Sequence, residues 1–412
     1  MRATSLLRTI LALKSTRVLG FELDAVGLVV DVAPSWRRAR CSGCGKRRGC
    51  YDVGAPRQWR HLDFAGMQVW LRYARRRTHC KRCGVLAEQV PWAPAGSRFT
   101  YEFEDMVGYL AQRADKTTVS ALMRVAWRTV GRILERVVAR HGKGDRLEGL
   151  VAIGVDEISY RRHHKYLTVV VDHDRGEIVW AEPGKSAETL TAFFDDLGPE
   201  RCAQLETVTI DMSAAYQKAV TDKVPDATIV FDRFHVQRLA HDALDAVRRA
   251  EVRAVNDADD RRALKKTRWP LQKNPWNLKN FEAAKLAQLQ RHNKRLFRAY
   301  LLKEALCRIL DRRQVNVARR KLGEWFDWAV RSRLEPFRKL AHTVREHTEG
   351  ILAYVRSGLS NGPTEALNGK IRTITRRSYG FHEPSSLIAM VFLCCAGIRL
   401  EPVHTYPAPV VP

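Results

Sequence analysis

The chain has 412 residues, of which 45% are hydrophobic, so it is long enough for several domains and apolar enough to exclude a disordered tail. Its 71 Lys and Arg residues outnumber 45 Asp and Glu residues, which gives a formal net charge of +26. A field of this sign favours a polyanionic partner, and nucleic acid is the most common one. Charge alone indicates that class of partner and no activity, because ribosomal proteins and cationic membrane binders share it.

No segment approaches the roughly 20 apolar residues that a membrane-spanning helix needs, and the longest one, residues 387–398, predicts a buried helix. Arg8 and Lys14 interrupt the apolar N-terminus, which argues against a signal peptide. Nine cysteines, an odd number in a large chain, argue against a disulfide framework and for a reducing compartment. We therefore expect a soluble cytoplasmic protein that makes no contact with membranes.

A Cys-x-x-Cys-Gly pattern occurs twice near the N-terminus. Each copy predicts a tight turn that directs two thiolates to one point, and two such turns supply the four soft ligands of one structural zinc. The predicted ligands are Cys41, Cys44, Cys80 and Cys83. Basic residues surround both pairs and favour the thiolate form. The long segment between the pairs predicts a β-hairpin made of residues 51–60 and 67–73.

Two other interpretations of these cysteines stay open. They could be four free thiols in unrelated turns, or Cys50, His61 or His79 could replace one of them as a ligand. For the two histidines, an ordinary polar position in a loop is the competing interpretation.

Helical periodicity begins at Thr100 and predicts three short helices, around residues 103–111, 119–123 and 127–141. Three short helices with tight turns are compatible with a helix-turn-helix module. A plain helical linker whose arginines face water is the alternative. In the first case, the start of the recognition helix would present Trp127, Arg128, Thr129 and Arg132 to DNA.

Five strand-like segments and two helices follow, in the order β-β-β-α-β-α-β. The strands are predicted at residues 150–160, 166–172, 177–181, 207–211 and 227–232. This is the order of an RNase H-like fold, in which the first and fourth strands lie side by side. Asp156 and Asp211, at the ends of the apolar parts of those strands, would then face each other.

Two carboxylates at such close range repel each other strongly unless cations lie between them. Hard oxygen ligands suit Mg²⁺ or Mn²⁺, and two such ions about 3.5 to 4 Å apart promote phosphodiester displacement. The alternative is that both are turn residues at strand ends. Weaker candidates, two of them in the hairpin turn after the second strand, are Glu157, Asp172, Asp174 and Asp232.

From Arg233 to about Tyr354 the pattern is helical and very basic, which we interpret as an all-α domain inserted before the last helices of the core. Trp325 and Trp328 are expected to be core aromatics of this region.

The segment Ser360-Asn361-Gly-Pro363-Thr-Glu365-Ala-Leu-Asn368 follows this region. Pro363 suits the first position of a helix, which would put Glu365 at the third. The pattern alone leaves two roles for Glu365 open: a third catalytic carboxylate, or a residue that caps the helix and offsets its dipole.

Several motifs, in the same order, resemble the DDE transposases of the ISL-three insertion-sequence family over nearly the whole chain. They are Gly154-Val-Asp156-Glu, Tyr166-Leu-Thr-Val-Val-Val-Asp172, Thr209-Ile-Asp211-Met-Ser-Ala-Ala-Tyr216, Val230-Phe-Asp232-Arg-Phe-His235-Val and the segment around Glu365. The resemblance implies that Asp156, Asp211 and Glu365 form a catalytic triad, with a helical insertion between the last two. It also implies an N-terminal zinc-binding and helix-turn-helix region that recognises terminal inverted repeats.

Further residues follow from this resemblance. Asp232-Arg-Phe-His235 is similar to the D-x-x-H signature of several insertion-bearing transposases, and His235 could serve in DNA handling or in a structural hydrogen bond. Ala366 stands where the family has Gly, which raises helix propensity. Basic residues beyond the glutamate would contact phosphates or form a solvated face; they are Arg372, Arg376 and Arg377.

The predicted protein is thus a multidomain α/β transposase with an RNase H-like catalytic core. Its predicted domains are 1–97 (zinc-binding), 98–145 (helix-turn-helix), 146–250 (core, first part), 251–355 (helical insertion), 356–400 (final core helices) and 401–412 (tail). We expect two Mg²⁺ or Mn²⁺ ions per active site and one Zn²⁺. The partners would be double-stranded DNA, as inverted repeats and target, and at least one further copy of the chain, at the bacterial nucleoid. The rival hypotheses are a catalytically inactive DNA-binding regulator and an RNase H-like host nuclease.

Overall fold

The computed structural model describes residues 3–142, 144–161, 165–378 and 383–402, so most of the predicted tail lies outside the described residues. The chain forms two compact units: residues 1–142 with 385–412, and residues 143–384. Both units contain helices as well as strands, in agreement with the predicted α/β class.

The first unit begins with a helix and seven strands. They are α1 (Ala3–Ile10), β1 (Thr16–Asp24), β2 (Gly27–Pro34), β3 (Ala39–Arg40), β4 (Arg47–Arg48), β5 (Asp52–Phe64), β6 (Met67–Cys80) and β7 (Gly84–Ala87). Five strands form one sheet in the order β1-β2-β6-β5, with β7 also paired to β6. Strands β5 and β6 are antiparallel, so the predicted hairpin between the cysteine pairs is confirmed. Buried Trp59 and Trp92 meet edge to face at 5.6 Å in the apolar core beside this sheet.

Three helices follow in this unit, as the periodicity predicted: α2 (Tyr101–Ala111), α3 (Lys116–Met123) and α4 (Trp127–His141). Thr100 caps α2 by accepting from the Phe103 N–H, and Asp115 caps α3 by accepting from two backbone N–H groups. Arg124, at φ 52°, ends α3 in the left-handed conformation and turns the chain into α4. The last helix of the described chain is α17 (Pro384–Cys395). It is largely buried, as the apolar run of residues 387–398 predicted. Within the described part of the chain, no helix is both long and apolar enough to span a bilayer.

The second unit contains a five-stranded sheet. Its elements up to the last strand are β8 (Ala152–Arg161), β9 (Lys165–Asp172), β10 (Glu177–Pro183), α5 (Ala187–Leu197), α6 (Pro199–Cys202), β11 (Thr207–Ile210), α7 (Ala214–Lys223) and β12 (Thr228–Phe231). The strand order is β10-β9-β8-β11-β12; the first three strands are antiparallel, and β11 lies parallel to both of its neighbours. The first and fourth strands of this sheet are therefore neighbours, as the sequence predicted. Thr209 of β11 pairs with Gly154 of β8.

Helices fill the rest of this unit. They are α8 (Arg233–Ala254), α9 (Ala258–Lys265), α10 (Arg268–Gln272), a 3-10 turn (Pro275–Asn277), α11 (Asn280–His292), α12 (Lys294–Leu310), α13 (Val315–Arg331), α14 (Glu335–Glu346), α15 (Thr348–Ser357) and α16 (Gly362–Arg377). Helices α12 and α14 pack on α8, and α15 packs on β12.

Two local expectations for these helices are wrong. Trp325 is buried and donates its indole N–H to the Leu302 carbonyl. Trp328 is 38% exposed, because the buried stripe of α13 leaves it at the rim; the stripe consists of Ala318, Leu322, Trp325 and Ala329. Helix α16 starts at Gly362, so Glu365 is its fourth residue and not its third.

Candidate functional site

Asp156 and Asp211 lie on two neighbouring parallel strands of the second unit. Thr209 of β11 pairs with Gly154 of β8, and each aspartate follows two positions later. The two aspartates therefore lie at the same level across the strands, Asp156 within β8 and Asp211 just after the end of β11. Both are half-buried. Each has one oxygen held by a nearby backbone N–H: that of Glu157 at 2.7 Å from Asp156 Oδ1, and that of Ser213 at 3.0 Å from Asp211 Oδ1.

Helix α16 brings Glu365 to this part of the sheet. Asn368, one turn after Glu365, donates its Nδ2 amide to Asp156 Oδ2 at 2.5 Å. The helix can approach β8 closely because Gly154 has no side chain: a Cβ there would lie 2.5 Å from Thr364 Oγ1 and 3.0 Å from Asn361 Oδ1.

A buried polar chain fixes the start of α16. The Thr209 hydroxyl donates to Asn361 Oδ1 and lies 2.8 Å from His173 Nε2. The Asn361 backbone N–H donates to Asp232 Oδ1 at 3.3 Å, and its carbonyl accepts from the Glu365 N–H at 2.7 Å. Asn361 therefore joins β11, the end of β12 and the turn that contains Glu365.

The acids of this region interact electrostatically. Burial raises the pKa of Asp156, and the negative charge of Asp211 raises it further, while His235 and Arg372 act in the opposite direction. Burial also raises the pKa of Glu365; among charged neighbours Asp232 adds to that rise, and His235 and Arg372 oppose it. Asp156 and Glu365 thus share two basic neighbours, His235 and Arg372, and the Asp211 charge acts on Asp156.

Glu157 belongs to the same electrostatic group, since burial and the Asp211 charge raise its pKa. Asp172, by contrast, is the last residue of β9, and Asp174 lies in the hairpin turn after it. The Asp172 carboxylate accepts from the Asp174 N–H at 2.9 Å. The capping role considered for Glu365 has no support in the hydrogen bonds of the described residues, none of which joins its carboxylate to the start of α16.

The carboxylates are not as tightly grouped as the ligands of a single ion. Across residues 3–142, 144–161, 165–378 and 383–402, one group of three or more His, Cys, Asp or Glu side chains has all its ligand atoms within 4.8 Å of one another, and it consists of cysteines. The wider spacing of the acids is the arrangement expected when like charges repel. Hard oxygen donors whose pKa values are raised by one another fit a divalent cation, which would offset that repulsion.

The basic residues proposed from the sequence differ in exposure. His235 lies in the first turn of α8 and is half-buried, close enough to interact with Asp156, Glu157 and Glu365. On α16, Arg372 and Arg376 are exposed and Arg377 is half-buried.

The candidate recognition residues lie on the first turns of α4. Arg128 and Arg132 are exposed, and Thr129 is half-buried. The Trp127 ring is half-buried, with Lys116 Nζ 3.4 Å from its centre, so this tryptophan also packs within the helical module.

The four predicted zinc ligands are the group found within 4.8 Å: Cys41, Cys44, Cys80 and Cys83. The hypothesis of unrelated turns is therefore wrong. A hydrogen bond from the Arg48 guanidinium lowers the pKa of Cys80 to about 5, and a hydrogen bond from the Cys44 N–H lowers the pKa of Cys41. Both effects favour the thiolate, the form that binds metal, at Cys80 and Cys41. Burial instead raises the pKa of Cys83 to about 12.

None of the three alternative ligands belongs to this group of described side chains. Cys50 is exposed and its thiol contacts the Asp52 carbonyl at 3.2 Å. His61 is buried with Nδ1 2.9 Å from Thr100 Oγ1, and burial lowers its pKa to about 4. The expectation of loop positions is wrong for both histidines, because His61 lies in β5 and His79 in β6.

The sequence reasoning assigned no role to several residues that hold the site together: His173, Thr209, Asn361 and Asn368. One local signal was available, because the two asparagines are separated by two helical turns and so lie on the same face of α16. Thr209 is also a polar residue between two apolar ones, Val208 and Ile210.

Three family models and two groups of relatives match this chain. Residues 153–391 match the model of the transposase (DDE) domain of family ISL3, and residues 88–138 match the helix-turn-helix domain of transposase family ISL3. Residues 37–83, which include all four clustered cysteines, match the zinc-finger of transposases IS204/IS1001/IS1096/IS1165.

Two groups of relatives agree with these models. The chain is 40% identical to the transposase for insertion sequence element IS1557 from two strains of Mycobacterium tuberculosis, over 99% of each chain. It is 30% identical to the transposase for insertion sequence element IS1001 from Bordetella parapertussis, over 86% of this chain and 88% of that one. With a zinc-finger, a helix-turn-helix domain and a transposase domain in this order, the chain belongs to the ISL3 family of DNA transposases.

Proposed function

We propose that this transposase binds the terminal inverted repeats of an insertion sequence and catalyses metal-dependent cleavage and strand transfer with Asp156, Asp211 and Glu365. The main support is the pairing of Thr209 with Gly154, which sets the two aspartates level on adjacent strands. The Asn368 amide on the Asp156 carboxylate supports the assignment of the third acid to the same site, because Asn368 and Glu365 belong to one helix.

Two Mg²⁺ or Mn²⁺ ions would be held by these three carboxylates; when bound, such ions activate the attacking oxygen and stabilise the leaving oxygen of an in-line phosphoryl displacement. The chain itself orients the groups that bind them: the Glu157 N–H and the Asn368 amide fix the Asp156 carboxylate. The scheme uses no covalent enzyme intermediate, so the same residues can serve both cleavage and strand transfer.

The basic residues near the acids would hold the DNA backbone. Arg372 and Arg376 are exposed on α16 and suit phosphate contact. The half-buried Arg377 is the third member of this basic set. His235 interacts electrostatically with Asp156 and Glu365, and it would offer a donor to a phosphate oxygen there. In the first unit, Arg128 and Arg132, with Trp127 and Thr129, would contact the inverted repeat.

The strand order and the position of the helices support an RNase H-like core interrupted by an all-α insertion. In this proposal residues 146–250 and 356–384 form the core, since residues 385–412 group with the first compact unit and not with the second. Residues 251–355 form the insertion, 98–145 the helix-turn-helix domain and 1–97 the zinc domain. Cys41, Cys44, Cys80 and Cys83 would hold one structural Zn²⁺, since four protein ligands leave no position open for chemistry. Joining two DNA ends would require at least a dimer, acting at the nucleoid in the cytoplasm.

The test compares wild type with Asp156→Asn on duplexes that contain the ends of the element, in the presence of Mg²⁺. We expect both proteins to bind, and only the wild type to cut and to join pre-cut ends to target DNA. Asp174→Asn, at an exposed turn residue on the same sheet, is the matched control and should retain activity. A wild type that binds but never cuts would identify a regulator, and cutting without joined product would identify a nuclease.

A further inference from the structure

Asp232 differs from other buried acids of the second unit. It directly follows β12 and is 2% exposed. Although it precedes α8, its side chain makes no capping hydrogen bond to that helix. One carboxylate oxygen, Oδ1, accepts from the Asn361 N–H, whereas Oδ2 has no hydrogen-bond partner among the described residues.

Asp172 provides the contrast within the same sheet. It is also at a strand end and is 1% exposed, but its carboxylate accepts from the backbone N–H groups of Asp174 and Arg175 and pairs with Arg175 Nε at 3.0 Å. A buried carboxylate is ordinarily balanced in this way. The arginine next to Asp232, Arg233, is instead paired with Asp311.

The surroundings of Asp232 explain what could balance it. Asn361 joins it to Glu365: the Asn361 N–H binds Asp232, and the Asn361 carbonyl accepts from the Glu365 N–H. Two more oxygen atoms on the first two turns of α16, Thr364 Oγ1 and Asn368 Oδ1, are buried without a partner among the described residues, as is the Asn361 Nδ2 amide. Several oxygen atoms without partners beside two acids form an environment suited to a hard, hydrated cation.

We propose that Asp232 is a fourth carboxylate of the metal centre and holds a divalent cation together with Glu365. This inference rests on the proposed function in one respect, namely that Glu365 is a metal ligand. It extends the centre from the middle of β8 and the end of β11 to the end of β12, so that three neighbouring strands and α16 each contribute one acid.

The test is Mn²⁺ binding to the full, zinc-loaded chain. Binding is measured by calorimetry or from the electron paramagnetic resonance signal of free Mn²⁺. Zinc loading keeps the cysteine cluster from taking Mn²⁺. Asp232→Asn preserves the shape and the acceptor for the Asn361 N–H and removes only the charge. We expect Mn²⁺ affinity to fall about tenfold or more, while thermal stability without added Mn²⁺ is unchanged or higher, because an unbalanced buried charge has been removed.

Asp172→Asn is the matched control. It should lower thermal stability, because Arg175 loses its carboxylate partner, and leave Mn²⁺ affinity unchanged. Wild-type Mn²⁺ affinity in Asp232→Asn would overturn the proposal. If that variant fails to fold, the wild type is treated with Fe²⁺, ascorbate and peroxide instead. The backbone should then be cut near residue 232, and added Mg²⁺ should suppress the cut. The absence of such a cut would be equally decisive against the proposal.

The two proposals can fail separately. If Asp156→Asn and Glu365→Gln both still cut DNA, the assignment of the catalytic acids is wrong. If those two variants lose Mn²⁺ binding and cutting while Asp232→Asn binds Mn²⁺ like the wild type, only the role of Asp232 is wrong.

Discussion

Asp156 has both carboxylate oxygens occupied by donors from the chain itself, Oδ1 by its neighbour's N–H and Oδ2 by Asn368. A carboxylate fixed in this way presents its remaining lone pairs in one direction, which is the usual role of hydrogen bonds behind a metal ligand. Asn368 is therefore a positioning residue in the proposed mechanism.

Replacing Asn368 by Ala should lower the DNA cleavage rate by about 10- to 100-fold and raise the Mg²⁺ concentration needed for half-maximal rate, because Asp156 loses its orienting donor. DNA-end binding should stay unchanged. The measurement is the cleavage rate over a Mg²⁺ series. Thr373→Ala, exposed on the same helix, is the control. An Asn368→Ala enzyme with unaltered Mg²⁺ dependence would exclude this role.

The raised pKa values of Asp156 and Glu365 predict a pH dependence of stability without added Mg²⁺ or Mn²⁺. A carboxyl group whose pKa is raised by folding contributes stability below its ordinary pKa, and that contribution disappears as pH rises through the raised value. Asp156→Asn should therefore be more stable than wild type at pH 7, and the difference should vanish in acid. Thermal unfolding at several pH values tests this, with exposed Asp174→Asn expected to show no such trend.

At the scale of elements, the contact between α16 and β8 depends on a missing side chain. Gly154→Ala would place a Cβ 2.5 Å from Thr364 Oγ1, so the helix must shift away from the strand. We expect a loss of about 1–3 kcal/mol in unfolding free energy and a strong loss of cleavage. Gly369→Ala, on the same helix with nothing within 4 Å, should instead be neutral or stabilise by up to about 1 kcal/mol. Equal melting temperatures for the two variants would contradict this picture of the contact.

Helix α4 is the second element with a testable surface. Replacing Arg128 or Arg132 by Ala should weaken binding to the inverted repeat by about 1–3 kcal/mol if the side chain contacts a base, with less effect on unrelated duplex. A phosphate contact would instead weaken both equally and reduce the salt slope by about one. Fluorescence anisotropy with both duplexes over a salt series distinguishes these cases, and unchanged binding of either variant to both DNAs would remove that residue from the interface.

At the scale of the whole molecule, the two units have different sources of stability. The second unit has an extensive apolar core around its sheet and helices. The first unit has a smaller apolar core beside its sheet, and its zinc-finger region also brings four thiols within 4.8 Å, an arrangement that a metal would stabilise.

Zinc removal should therefore act on one unit first. After chelation we expect residues 37–88 to lose protection from amide hydrogen exchange, while β8–β12 keep theirs. Mass spectrometry of exchanged peptides is the measurement. Cys50→Ser, outside the cysteine cluster, should behave like the wild type, and a Cys44→Ser chain that retained full protection would argue against a structural metal.

The local pattern of the sequence determined much of this protein. Spacing identified the four clustered cysteines, periodicity identified the three helices before residue 142, and apolar runs identified all five strands around Asp156 and Asp211. These features depend on neighbours in the chain, since turns, strands and amphipathic helices follow short-range rules. The strands β1 and β2, and the rim position of Trp328, were not anticipated.

Only the tertiary structure decided which side chains meet across long separations. Asn368 binds an aspartate 212 positions earlier, and Asn361 accepts from a threonine 152 positions earlier. No spacing rule predicts such pairs, because they depend on how an intervening series of helices returns the chain to the sheet. The same holds for Asp232, whose sequence context resembles that of any strand-end aspartate. Its Oδ2 has no partner among the described residues because packing buries the carboxylate while the neighbouring Arg233 pairs with Asp311.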